Sequence, residues 1–157
     1  MVEFALVFPI ILLITYGIME FGRMIWIYAA VTGAAREGAR YGAASGLVDT
    51  NNDGVPDRKR YAYCPGIREA VKRTAVLVPI TDADITISYD NGPSPTAIWN
   101  TCPPLNGYGL DPILLGDRVV VRVNFTYQPV ISFLQFNGFA IHSRSARTIL
   151  LNVEMGP

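Results

Sequence analysis

The sequence predicts an α+β fold: a long N-terminal α-helix over about residues 2–44, then a small head with a short helix and an antiparallel sheet. Three observations predict it. Phe4 to Met19 is a charge-free apolar stretch bracketed by Glu3 and Glu20. From Met24 the chain continues at helical rhythm into a ladder of Ala and Gly. After Ser45 the composition becomes that of an ordinary globular sequence, with alternating strand patterns near its end. The expected division is 1–46 as a hydrophobic helix and 47–157 as an α+β head.

The apolar stretch is about 24 Å of helix at about 1.5 Å per residue. A hydrocarbon core is about 30 Å thick, so Phe21, Gly22 and the apolar residues from Met24 must extend the span. So long an apolar rod must lie in a membrane, pack against copies of itself, or do each in turn. No basic segment precedes it, so a cleavable secretory signal of the usual form is not expected. Pro9 removes one backbone hydrogen bond and is expected to kink or loosen the helix. Gly17 and Gly22 add weaker points. Glu3 needs a partner in apolar surroundings. Glu20 reads as a partly exposed helix charge paired with Arg23.

Beyond residue 29, Ala30, Ala34, Gly38, Gly42 and Gly46 fall four apart and form one small-residue ridge. Ala35, Ala39 and Ala43 run beside it. Such ridges let helix backbones approach closely. Each glycine costs about 1 kcal/mol of helix propensity relative to Ala, so packing must compensate. The upper half could pack on its own head while the lower half packs on neighbours.

These residues carry a family resemblance. Val2-Glu3-Phe4-Ala5, the run with Pro9, Gly22-Arg23 and Ala34 to Arg40 together resemble the TadE-like segment of tight-adherence (type IVc) pilus proteins. The resemblance covers about the first 43 residues. It implies a pilin-like precursor from a bacterium, cut by a prepilin peptidase. Assembly machinery then moves the helix from the inner membrane into a filament or pilus base at the cell surface. It also implies that Glu3 meets a neighbour's N-terminal amine. In mature type IV pilins the acid usually stands at the fifth position, whereas here it is the third. Two upstream residues, different processing, or an added Met1 would each account for that. Glu3, Phe4, Pro9, Ala30, Ala34, Gly38 and Gly42 are the expected assembly residues.

Residues 49–60 resemble a calcium loop. Asp49, Asn51, Asp53 and Asp57 place side-chain oxygens at positions 1, 3, 5 and 9. Gly54 supplies the sharp turn at position 6, and Val55 offers its carbonyl at position 7. Hard oxygen donors at alternate positions suit Ca²⁺, here with a structural role. Position 12 is Arg60, so the usual closing carboxylate is missing. The bland alternative is an Asx-rich turn without metal.

In the head, Ile67, Ala70, Val71, Thr74, Ala75 and Val78 share one helical face, which predicts a short helix ending before Pro79. Residues 84–89 and 117–127 alternate as strands, with Val119, Val121, Val123, Phe125 and Tyr127 pointing one way. Residues 139–153 form another strand, paired antiparallel with 117–127. The Gly- and Pro-rich run 91–112 is a long surface loop, and 131–136 is an aromatic-rich connection. Cys64 and Cys102 lack metal-ligand spacing, and outside the cytoplasm a disulfide is their expected state.

Lys plus Arg (13) equals Asp plus Glu (13), so nothing argues for nucleic acid. The single His142 lies on an alternating strand beside Ser143 and Ser145, without triad geometry or a phosphate loop, so an enzyme is not expected. Asp82, Asp84 and Asp90 read as turn and strand-end acids. Asn124-Phe125-Thr126 is a short glycosylation sequon. The expected function is a structural subunit of an extracellular Tad-type pilus, polymerising with copies of itself through its N-terminal helix. The rivals are a minor pseudopilin that primes or caps such a pilus, and a membrane-anchored binding domain that never polymerises.

Overall fold

The computed structural model describes residues 2–92, 97–100, 102, 113–114, 116–130 and 138–150. Helix α1 runs Val2–Ala43 and passes through Pro9 without a break in its helical assignment. Glu3 sits in its first turn, where a carboxylate favours the helix dipole. Gly46, at φ +107°, turns the chain beyond the helix end. Strands β1 (Leu47–Val48) and β2 (Arg58–Lys59) then pair antiparallel and close the 49–57 loop.

Helix α2 spans Cys64–Thr74, with Pro65 in its first turn, where the missing N–H costs nothing. It stops four residues short of the expected Val78. Ala75 donates its N–H to Val71, Leu77 takes a positive φ of 71°, and Val78 donates to Ala75. Val78 still reaches the core, through this turn rather than along a helix face.

Strands β3 (Ile85–Asp90), β4 (Ala97–Trp99), β5 (Arg118–Tyr127) and β6 (Phe139–Thr148) form one antiparallel sheet in the order β4-β3-β5-β6. The expected β5–β6 pairing is present, from Arg118 opposite Thr148 to Tyr127 opposite Phe139. β4 follows no clear alternation in the sequence and was not expected. Most of the 91–112 loop, the 131–136 connection and residues 151–153 of the expected last strand lie outside the described residues.

Both helices cover the same face of the sheet. Val119, Val121, Val123 and Tyr127 of β5 and Ile85, Ile87 and Tyr89 of β3 point into one core with Ile67 and Val71 of α2. From α1 that core takes Ile27, Val31, Ala34, Ala35, Ala39 and Ala43, which are spaced as one helical face. The upper half of α1 is thus an integral core element of the head.

Candidate functional site

The lower half of α1 leaves the head bare. Phe4 is 70 % exposed and Leu13 72 %, and the large apolar residues between them are exposed as well. The Phe4 and Phe8 rings stack at 5.5 Å, one turn apart. The helix is long and apolar enough to cross a membrane, and none of the described residues buries its most apolar window. Glu3, Phe4 and Pro9 all lie on this exposed stretch.

The small-residue ridge has a different placement. A Cβ on Gly38 would meet Val71 Cγ2 at 2.4 Å and Val121 Cγ1 at 3.4 Å. One on Gly42 would meet Ile67 Cδ1 at 2.9 Å and Val119 Cγ2 at 3.3 Å. Ala34 is buried, and Ala30 is half-buried against the same core. The close approach that this ridge permits is made within the chain, to α2 and β5. Ala30, Ala34, Gly38 and Gly42, expected among the assembly residues, are therefore occupied by the chain's own head. Gly46 belongs to the turn, not to the ridge. Gly17, Gly22 and Gly33, by contrast, have open space where a Cβ would stand.

The two halves meet at a polar clasp. Glu20 and Arg23 carry the only charges on α1 between Glu3 and Arg36. Tyr127, at the end of β5, donates its hydroxyl to the Glu20 carboxylate. The Val130 N–H reaches the same carboxylate at 3.2 Å. The Arg23 guanidinium donates to the Gln128 carbonyl at 2.5 Å and lies 4.9 Å from the centre of the Tyr127 ring. Burial, and then the bond to Glu20, pushes the Tyr127 phenol up from its ordinary value. The expected Glu20–Arg23 pair exists only at 4.0 Å and is the weaker part of this group. Tyr127, Gln128 and Val130 were not legible as its partners. The signal was two charges on an apolar rod that needed acceptors and donors from somewhere.

The 49–57 loop folds on its own donors. Asp49 accepts the N–H groups of Asn52 and Gly54, each at 2.7 Å. Asp53 accepts the Val55 N–H at 2.7 Å and the Asn51 side-chain amide at 2.9 Å. Asp57 accepts the Thr50 N–H at 2.9 Å and its hydroxyl at 2.6 Å, and these bonds hold its carboxyl below the usual range. Gly54 takes the positive φ expected of the turn, +86°. The donor set is the hard-oxygen set that calcium prefers. Among the described residues, however, no three acids converge on one point.

Cys64 and Cys102 are joined as a disulfide, with 6.2 Å between their Cα atoms. It links the start of α2 to the segment after β4. On the outer face of the sheet His142 Nδ1 bonds the Asn124 side-chain oxygen at 2.9 Å. Asp82 pairs with Lys72 at 2.9 Å, and Asp84 closes a capping box with Thr81. Asp90 is more than a strand-end acid. It is buried, with Arg118 at 2.6 Å and Arg144 at 3.2 Å.

No curated protein and no solved structure matches the chain. Residues 1–40, the bare rod together with most of the ridge, match the family described as TadE-like protein, and this N-terminal segment is TadE-like.

Proposed function

We propose that the protein is a structural subunit of an extracellular Tad-type pilus, held in the inner membrane by its N-terminal helix before assembly. The TadE-like segment supports the coarser statement, a Tad pilus-associated protein. One observation carries the finer one. The chain commits the upper half of α1 to its own head, while the large apolar side chains of the lower half from Phe4 to Met19 stand exposed among the described residues. Packing that rod against copies of itself buries apolar surface worth about 25 cal/mol per Å², which offsets its removal from lipid-like surroundings. A prepilin peptidase and the pilus machinery are the partners this route requires. The role is architectural, not catalytic.

Glu3 sets the register in this reading, because a carboxylate inside a packed apolar core requires a counter-charge from a neighbour. We also propose that the 49–57 loop takes Ca²⁺, on the strength of its oxygen spacing and the Gly54 turn.

Shearing the filaments from cells and quantifying the protein in them tests the assignment. The expected result is a stoichiometric component, lost in Glu3→Ala while the purified variant keeps its melting temperature. Trace amounts point instead to a priming or capping subunit. A detergent-dependent monomer with an unprocessed N-terminus points to a non-polymerising anchor.

A further inference from the structure

From the clasp and the surface around it, we infer that the lower rim of the head is a membrane-contact surface, seated in the interfacial layer of the bilayer that holds α1. The inference rests on the membrane-resident state just proposed and names a second lipid contact within it.

The argument begins with length. From Glu3 to Glu20 the helix rises about 26 Å at about 1.5 Å per residue. A hydrocarbon core of about 30 Å therefore ends close to Arg23, not below Glu20. Two charges at that depth are unfavourable unless they are satisfied. Both charges find partners in the head: Glu20 the Tyr127 hydroxyl and the Val130 N–H, and a terminal nitrogen of Arg23 the Gln128 carbonyl, while the buried Arg23 Nε has no partner among the described residues. The end of β5 is thus bonded to the helix at the level where hydrocarbon gives way to headgroups.

No spacer lifts the head away from that level. Ile27, about 6 Å beyond Arg23 along the helix, is already part of the buried core. Among the described residues, the head exposes two large apolar side chains there, beside the exposed Gln128. Val130 is 64 % exposed and Phe139 55 %. Phe139 lies opposite Tyr127, and cross-strand partners share a face, so it stands on the side of the sheet that looks toward α1. Phe21, Ile25 and Trp26 continue the same exposed apolar belt on the helix itself. An exposed aromatic and aliphatic belt at this level suits the membrane interface. The Val130 N–H, a backbone donor beyond the strand end that would oppose immersion if left bare, is taken by Glu20.

The test uses the full chain reconstituted in vesicles of phosphatidylethanolamine and phosphatidylglycerol. Four single-cysteine variants, Val130→Cys, Phe139→Cys, Ile11→Cys and Leu47→Cys, carry a fluorophore, with the native disulfide left intact. Lipids bearing a nitroxide near the headgroup or deep in the acyl chain act as quenchers. The labels at 130 and 139 are expected to lose most of their emission to the shallow quencher, that at 11 to the deep one, and that at 47 to neither. Quenching at 11 without quenching at 130 and 139 overturns the rim contact alone. It would leave the rim to be covered by a neighbouring subunit. No quenching at 11 removes the membrane-resident helix, and the rim contact with it.

Discussion

Asp90 shows how much one carboxylate can organise. Burial opposes its charge, but the Arg118 hydrogen bond, the Gly92 N–H and the two guanidinium charges outweigh that and hold its carboxyl below the usual range. A depressed carboxyl stabilises the fold above its unfolded pKa and loses that contribution as pH falls through the folded value. Asp90→Asn should therefore cost about 2 kcal/mol near neutral pH, the scale of hydrogen bonds to a charged group. Chemical denaturation at several pH values should show the gap between wild type and variant closing below about pH 4. In the sequence Asp90 is one acid at a strand end, 28 residues before Arg118. Only the register of β3 on β5, which sets Asp90 opposite Arg118, turns it into a buried anchor.

Among the elements, α1 was the most legible. Its apolar run and its four-residue ladder of small residues specify a helix and the face that buries. They do not say what covers that face. The same spacing serves a neighbour's helix or the chain's own α2, and the choice depends on contacts that are distant in sequence. A paired substitution separates the two faces. Gly38→Ala forces a methyl against Val71, which has no exposed surface and no room to retreat. It should lose about 1–2 kcal/mol, overpacking outweighing the gain in propensity. Gly33→Ala meets nothing and should gain up to about 1 kcal/mol, as ordinary helix propensity dictates. Thermal melts of the two variants in one detergent are expected to move in opposite directions. The 49–57 loop was legible in its turn chemistry, with Gly54 where the φ must be positive. The Ca²⁺ proposed for it rests on the spacing of its oxygens, since in the structure its acids bond the loop's own N–H groups. With Ca²⁺ bound, a chelator should lower the melting temperature, and an unchanged midpoint would remove the ion from the account. The early stop of α2 was hidden for a related reason. Ala75 and Val78 carry the apolar spacing of a helix, yet the chain delivers Val78 to the core through a turn.

For the molecule as a whole, the head is held from two sides. The shared core with α1 closes one face of the sheet, and the Cys64–Cys102 disulfide ties α2 to the segment after β4. Closing a loop of 38 residues stabilises the fold by about 4 kcal/mol on the chain-entropy account. Reduction should lower the melting temperature accordingly while the exposed lower half of α1 stays helical, since its backbone hydrogen bonds run within the helix. Far-ultraviolet circular dichroism with and without reductant reads both effects. The pairing was legible from two lone cysteines. The clasp at Glu20 was not, because its members lie more than 100 residues apart and include main-chain groups.

The embedding of α1 in the head also fixes an angle. A helix turns by about 100° and advances about 1.5 Å with every residue. Nothing but helix separates Glu20 from Ile27, so the compass bearing of the head about the rod is set by residue count. One residue inserted in that interval would swing the whole sheet about a quarter of a turn relative to Phe4 and Glu3. An insertion at Gly46, past the last helical turn, would leave that bearing untouched. The chain is thus a key cut on a shaft: the apolar end and the outward face are in phase, and in any array of such shafts the pattern on the outside would be dictated from the axis.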